Sequence, residues 1–238
     1  MNIVIMGATS GIGLELARIY HAQGHSVAIA GRRIERLHRI SNELGNCPFA
    51  QIDITKEDAT FHLTTLIESL GGMDQYLHVS GIGKQNRCLD PQLELSTVET
   101  NAMAFTRMIT FAYHYFLQQG HGHIAAISSI AGTKGIGAAP SYSATKCFCN
   151  TYLEALTHLA HMQGHNIRFT DIRPGFVDTD MLSADFHYPM MMNPKKVANT
   201  IVRGIAKGRR VLTIDWRFRL LVALWRLIPS SLWVRVKI

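Results

Sequence analysis

Asn2-Ile3-Val4-Ile5-Met6-Gly7-Ala8-Thr9-Ser10-Gly11-Ile12-Gly13 opens the chain with a strand-like apolar run followed by a glycine-rich turn. The three glycines have mechanical reasons to lack a side chain: a tight turn, close backbone approach to a pyrophosphate, and close helix-strand packing. Ile12, Leu16, Ile19 and Tyr20 then recur at helical spacing, so the turn leads into a helix near 12–23. Free N–H groups and the dipole at that helix start favour an anion. The pattern is Gly-x-x-x-Gly-x-Gly, not the Gly-x-Gly-x-x-Gly of many dinucleotide enzymes. A strand-to-helix turn with no ligand is the bland alternative, and a second strand immediately after the helix weighs against it.

Outward from that turn, strand-like and helix-like segments alternate, as in a parallel sheet wrapped by helices. Strands are expected at 26–30, 49–52, 75–79, 123–128, 166–172 and 210–214, and helices near 35–44, 56–70, 95–118 and 141–163. Right-handed crossovers make this one doubly wound, Rossmann-type α/β sheet with helices on both faces. Residues 1–214 form the dinucleotide-binding and catalytic domain, and 215–238 an apolar, basic C-terminal tail.

Composition agrees with one core: 238 residues, 47% hydrophobic and 17% charged, exclude a disordered or coiled-coil chain. No basic and apolar leader precedes the first strand, so a cytoplasmic location is expected. Cys47, Cys88, Cys147 and Cys149 lack metal-ligand spacing and read as reduced core thiols, and no metal site is expected. The net charge of +7 allows nucleic acid, an anionic cofactor or a membrane surface. Arg217, Arg219, Arg226, Arg235 and Lys237 against Asp215 alone give the tail a net +4. Those charges mix with tryptophan and show no nucleic-acid reading motif, so nucleic acid is set aside.

Ala30-Gly31-Arg32-Arg33 follows the second strand. An acid there would bond the ribose hydroxyls and repel a 2′-phosphate. Arg32 instead offers a planar cation suited to phosphate, which favours NADPH over NADH, while Arg33 reads as a solvated loop charge. Asp53, ending the third strand, is a candidate to accept from the adenine amino group, or a cap in competition with Thr55.

Tyr142-Ser143-Ala144-Thr145-Lys146 and Ser129 carry the chemistry. Hydride arriving at a carbonyl carbon leaves charge on oxygen, which needs a proton donor and a hydrogen-bond donor. Tyr142 supplies the proton, Ser129 holds the oxygen, and Lys146, on the same helical face as Tyr142, favours tyrosinate and is placed to bond the nicotinamide ribose. Each residue alone has an ordinary structural explanation. All three being incidental at this spacing is the weaker reading.

Residues 2 to about 214 resemble the short-chain dehydrogenase/reductase family, through Gly7-x-x-x-Gly11-Ile12-Gly13, Asp53, Asn101, Ser129, Tyr142-x-x-x-Lys146 and Pro174-Gly175-x-x-x-Thr179. The resemblance implies that Asn101 joins Ser129, Tyr142 and Lys146, acting through a backbone distortion in the fourth long helix. With the residues read above, the expected cofactor contacts are Gly7, Thr9, Ser10, Gly11, Ile12, Gly13, Arg32, Asp53, Gly81, Tyr142, Lys146, Pro174, Gly175, Val177 and Thr179. By the resemblance, Thr179 and the backbone near Val177 would hold the nicotinamide carboxamide. Met6 stands where the family usually has threonine, and His78-Val79-Ser80-Gly81 where it usually has Asn-Asn-Ala-Gly. Both segments have changed together, which points to mutually adapted packing. His78 is better read as a histidine satisfied by backbone than as an acid-base group.

Asp180–Met192, with four methionines, falls where the family places a mobile lid, and core packing is the alternative. Lys84-Gln85-Asn86-Arg87 reads as solvated loop charge near the pocket mouth. Trp216, Trp225 and Trp233 all lie in the tail, whose longest uncharged stretch, 220–225, is too short to span a membrane. Tryptophan, leucine and arginine together point to peripheral contact with the inner face of an anionic membrane, ahead of packing on the body or on a second subunit. The expectation is an NADPH-dependent carbonyl/alcohol oxidoreductase, homo-oligomeric, acting on a small-molecule, apolar or lipid-like carbonyl. The alternatives are a 3-oxoacyl-thioester reductase and a non-catalytic NADPH-binding sensor or interaction protein.

Overall fold

In the computed structural model, which describes residues 1–182 and 188–236, strands and helices alternate throughout. They run β1 (Asn2–Met6), α1 (Gly11–Ala22), β2 (Ser26–Gly31), α2 (Ile34–Glu43), β3 (Phe49–Gln51), α3 (Ala59–Leu70) and β4 (Gln75–His78). Next come α4 (Pro91–Val98), a π-helical stretch (Glu99–Ala104), α5 (Phe105–Gln119), β5 (Gly122–Ile127), a short 3₁₀ turn (Ile130–Thr133) and α6 (Pro140–Met162). The chain then forms β6 (Ile167–Arg173), α7 (Pro194–Ala206), β7 (Val211–Thr213), α8 (Trp216–Leu227) and the single turn α9 (Ser230–Trp233).

The seven strands are parallel and ordered β3-β2-β1-β4-β5-β6-β7. Strand order reverses between β1 and β4, which opens a crevice at their carboxyl ends. The glycine turn leaves β1 at that crevice, so topology alone puts the anion-binding helix start there. Alternation along β1 divides the core into two layers. Ile3 and Ile5 pack with residues of α1, α2, α7 and α8, whereas Val4 and Met6 pack with α3, α5 and α6.

Three elements differ from the sequence expectation. The long helix expected over 95–118 begins at Pro91, capped by the Asp90 carboxylate on the N–H groups of Gln92 and Leu93, and is interrupted by the π-helical stretch. α7 was not anticipated, although Asn193 caps it, Pro194 opens it, and Val197, Ala198, Ile201, Val202 and Ile205 bury one face. Of the cysteines, Cys47 and Cys149 are buried but Cys88 and Cys147 are exposed, and all four are free thiols.

The tail packs on the body through one face, the arrangement given above as the alternative to membrane contact. Phe218 is fully buried, its ring filling the space where a Cβ on Gly175 would stand, and Trp225 is buried beside it. Trp225 Nε1 donates to Thr133 Oγ1 at 2.9 Å, and Trp233 Nε1 to the Gly135 carbonyl at 2.7 Å. No helix among the described residues is long and apolar enough to cross a membrane.

Of the expected lid, Ser183–His187 lie outside the described residues. Met192 is part of the core and pairs with Val177 in an isolated β-bridge, so core packing accounts for that methionine. Met181 and Met191 remain 38% and 46% exposed.

Candidate active site

The glycine turn is as crowded as its reading requires. Gly7 has φ +98°, and a Cβ on it would stand 2.6 Å from the Ser80 nitrogen. A Cβ on Gly13 would stand 2.2 Å from the Gly7 carbonyl oxygen, so α1 starts in direct contact with the turn. Gly11 has φ +54°, and a Cβ there would meet Thr179 Cγ2 at 2.7 Å. Thr179 thus sits against Gly11 although they are far apart in sequence. Ser10, the N-cap of α1, makes no capping hydrogen bond of its own and leaves the first turn's N–H groups to other partners. These features fit a dinucleotide pyrophosphate: backbone donors, a helix start, and no side chains in the way.

Arg33, expected to be solvated, is tied into this turn. Its Nε and Nη2 donate to Thr9 Oγ1 at 3.0 and 2.8 Å, and Nη2 also to Ser10 Oγ at 2.7 Å. Nη1 pairs with Asp180 at 2.8 Å, and Arg36 joins the same carboxylate oxygen at 2.7 Å. The hydrogen bonds from Arg36 and Arg33 hold the Asp180 carboxyl below its usual range. Arg32 is exposed and shares an open depression with Arg33, Ile34, Glu35 and Arg36, a cationic rim at the end of β2. Asp53 Oδ1 accepts from the Thr55 N–H at 3.1 Å and the Thr55 hydroxyl at 2.8 Å. Burial raises the Asp53 carboxyl, but those bonds and the Arg32 charge outweigh it and leave it lowered.

At the other end of the crevice, Pro140 opens α6, which carries Tyr142 and Lys146 one turn apart. Lys146 is only 4% exposed. Its ammonium donates to the Ile127 carbonyl at 3.0 Å and lies 5.8 Å from the Tyr142 ring centroid. Among the described residues no carboxylate forms an ion pair with it. Ser129 follows β5 and caps the 3₁₀ turn, its Oγ accepting from the Ala131 N–H at 3.1 Å. The same hydroxyl reaches the Pro174 carbonyl at 3.4 Å, so Ser129 and the Pro174-Gly175 turn are neighbours.

Asn101 lies in the π-helical stretch, a distortion that often marks a functional position. Its amide makes a two-way clasp on Ile82, accepting from the N–H at 2.9 Å and donating to the carbonyl at 2.7 Å. Gly81 is threaded between: a Cβ there would stand 3.2 Å from Asn101 Oδ1 and 3.5 Å from Lys146 Nζ. Asn101, Gly81 and Lys146 are therefore one packed group.

His78 is fully buried opposite Met6, which it pairs in register. Its Nδ1 meets the Tyr76 hydroxyl at 3.0 Å and its ring stands edge-on to Phe105, so a side chain engages it in addition to the Ser80 backbone. Burial, reinforced by the Lys146 charge, pushes its pKa down to about 3, which keeps it neutral and excludes it as the acid.

Two residues passed over in the sequence, Gly83 and Glu94, and one read there as solvated loop, Asn86, shape this site. A Cβ on Gly83 would stand 2.6 Å from Tyr142 Cε2, so the tyrosine ring lies flush on that glycine. Glu94, on α4, accepts from the Ser141 N–H at 3.1 Å and from the Ser141 hydroxyl at 3.0 Å. It thereby caps α6 from outside, one residue before Tyr142. Asn86, expected as solvated loop, is 4% exposed and donates to Glu94 at 2.7 Å. The only sequence hint was Pro140, which marks a helix start lacking a local capping side chain.

A family model described as short chain dehydrogenase matches residues 1–188. The chain belongs to the short-chain dehydrogenase/reductase family. An uncharacterized oxidoreductase of Mycobacterium tuberculosis is 31% identical over 225 residues, covering 90% of this chain and 88% of the relative. The fold matches a short-chain dehydrogenase/reductase of Burkholderia phymatum in complex with NAD, with TM-score 0.84 at 17% identity, covering 94% and 92% of the two chains. An actinorhodin polyketide ketoreductase variant with NADPH matches at TM-score 0.77 and 25% identity, covering 90% and 95%. As a member of this family, the chain is an NAD(P)-dependent dehydrogenase/reductase.

Proposed function

We propose that this short-chain dehydrogenase/reductase interconverts an apolar or lipid-like carbonyl compound and its alcohol, with NADPH in preference to NADH. The observation that carries the reading is the buried Lys146 ammonium beside Tyr142, with no ion-paired carboxylate among the described residues. An uncompensated buried charge is expensive to keep, and a strained charge in a crevice is a mark of a working site.

Gly7, Thr9, Ser10, Gly11, Ile12 and Gly13 would hold the pyrophosphate side of the cofactor. Arg32 and Arg33 would hold its 2′-phosphate, and Asp53 its adenine. Gly81, Pro174, Gly175, Val177 and Thr179 would border the nicotinamide half. When bound, the nicotinamide supplies or accepts the hydride. In the reducing direction Tyr142 donates its phenolic proton to the carbonyl oxygen, and the Ser129 hydroxyl hydrogen-bonds the same oxygen as negative charge grows on it. Lys146 holds positive charge next to the phenol, stabilising the tyrosinate left behind. Asn101 keeps Ile82 and Gly81 pressed against Lys146, so the ammonium cannot drift from the tyrosine. In the oxidising direction tyrosinate takes the alcohol proton. The cationic rim of Arg32 and Arg33 supports the cofactor preference, and the part-exposed methionines Met181 and Met191 support an apolar substrate.

The test is NADPH consumption by purified protein against small ketones, acyl thioesters and lipid-like ketones, with Tyr142→Phe as control. Turnover of the lipid-like class, abolished in the control, is the expected result. Turnover confined to acyl thioesters would replace the substrate assignment, and NADPH binding without any turnover would replace catalysis with a sensing role.

A further inference from the structure

α8 carries two apolar stripes on opposite sides. Phe218, Leu221, Val222 and Trp225 recur at helical spacing and pack on the body. Trp216, Leu220, Leu224 and Leu227 recur at the same spacing on the other side and stand 67%, 54%, 57% and 78% exposed. A surface helix of an ordinary domain is polar on that second side. Here the polar residues are arginines on the flanks, Arg219 and Arg226 along one edge and Arg217 along the other. α8 contains no acid, and the Asp215 carboxylate before it is bound by Arg217 at 2.7 Å.

We infer that the outer face of α8 docks on an anionic lipid surface, the helix lying in the headgroup plane with its leucines below it. Charge selects this occupant. A second copy of the chain, apposed about a two-fold axis, would set an arginine-flanked stripe against another and supply no acid to either. A lipid phosphate layer meets Arg219 and Arg226 on one flank while their stems and the leucines reach the acyl region, and Trp216 sits at the depth tryptophan prefers. α8 is 12 residues long, suited to lying on a bilayer and not to crossing it.

The docked helix is fastened to the substrate side of the proposed active site, and this part of the inference rests on the function proposed above. Trp225 holds Thr133, Lys134 Nζ donates to the Ile228 carbonyl at 2.8 Å, and Phe218 packs on Gly175. The loop following Ser129 is thus pinned to the membrane-bound element, and a lipid-like carbonyl would have a short path from the acyl phase to Tyr142.

Co-sedimentation of the full chain with vesicles tests this, comparing phosphatidylcholine alone with phosphatidylcholine containing phosphatidylglycerol. Binding to the anionic vesicles only is expected, weakened by salt. Arg219→Gln and Arg226→Gln should each reduce it about fivefold. Leu220→Ser with Leu224→Ser should reduce it at least tenfold, and Trp216→Ser serves as an independent variant at a fully outward position. NADPH binding by each variant checks that the body is intact. If the wild type ignores anionic vesicles, or if the leucine variants convert an oligomer to a monomer in sedimentation analysis, the face is a protein interface and the inference falls. Vesicle binding is read without turnover. Loss of catalysis in the carbonyl panel with vesicle binding retained would therefore reject the proposed function and leave the docking face standing.

Discussion

Arg33 and Asp180, 147 residues apart in sequence, are joined by a 2.8 Å ion pair that bridges the loop after β2 to the segment just after Thr179. The same guanidinium bonds Thr9 and Ser10. An internal carboxylate therefore holds the cations that a 2′-phosphate would claim, so under the proposed function the two anions would compete for Arg33 and Arg36.

That competition has a sign. Arg33→Met should weaken NADPH roughly tenfold to a hundredfold, the range of one or two charge-assisted hydrogen bonds, with a far smaller effect on NADH. Asp180→Asn should move the ratio the other way by freeing Arg33 and Arg36. Dissociation constants for both cofactors on both variants provide the check. Parallel losses for NADPH and NADH would remove Arg33 from the phosphate site, and Arg32→Asp measured alongside would show whether its neighbour holds the role instead.

Gly83 is a packing surface for the Tyr142 ring, with a hypothetical Cβ at 2.6 Å from Cε2. Gly83→Ala should displace the ring and lower kcat at least tenfold, since small misplacements of a reacting group are costly. NADPH affinity should hold. A variant with wild-type kcat would mean the ring adapts and its position is not set here.

Glu94 stands in for the N-cap that α6 lacks. Glu94→Ala should cost about 1 kcal/mol of stability, the usual value of a lost cap, and lower kcat more than it changes KM. Glu94→Gln keeps the acceptor and should restore most of both. Measuring kcat and KM separately distinguishes a positioning role from a stability role, because simple destabilisation lowers active protein without changing either constant per folded molecule.

Two buried histidines give stability a pH dependence. His78 is pushed down to about 3 by burial and the Lys146 charge, and His123, bonded to Thr170, to about 4 by burial and Arg168. In the unfolded chain both take up protons near pH 6.5, but in the folded chain they do not. The unfolded state thus binds more protons below that value, so stability is complete above about pH 6.5 and declines as pH falls toward 4. The slope is roughly 1.4 kcal/mol per pH unit for each fully titrating histidine. Urea midpoints at pH 7 and pH 5 should show the drop, and His78→Asn should flatten it. An unchanged slope in the variant would put the dependence on other groups.

Much of this site was readable before the structure, and the reasons are local. Gly7, Gly11 and Gly13 are legible because positive φ and close approach leave few other residues able to occupy those positions. Tyr142 and Lys146 are legible because an i,i+4 pair on a helix needs no knowledge of the rest of the molecule. The part the sequence concealed depends on distant partners. Arg33 looked like any loop arginine until Asp180 arrived from the far end of the sheet. Glu94 looked like an ordinary helix residue until α6 presented an uncapped end to it. Asn101 entered only through family resemblance, since nothing in the order of side chains marks a π-helical turn.

The sequence by itself determined the alternation of strands and helices, the doubly wound α/β class, and the identity of the residues available for hydride chemistry. Periodicity, glycine sterics and residue chemistry act within a few residues and are written along the chain. Only the tertiary structure decided which cation meets the turn, what caps the helix of Tyr142, and which side of α8 is buried. Both stripes of that helix are equally apolar in sequence, and it is the fit of Phe218 against Gly175 and of Trp225 against Thr133 that turns one inward and leaves the other to face outward.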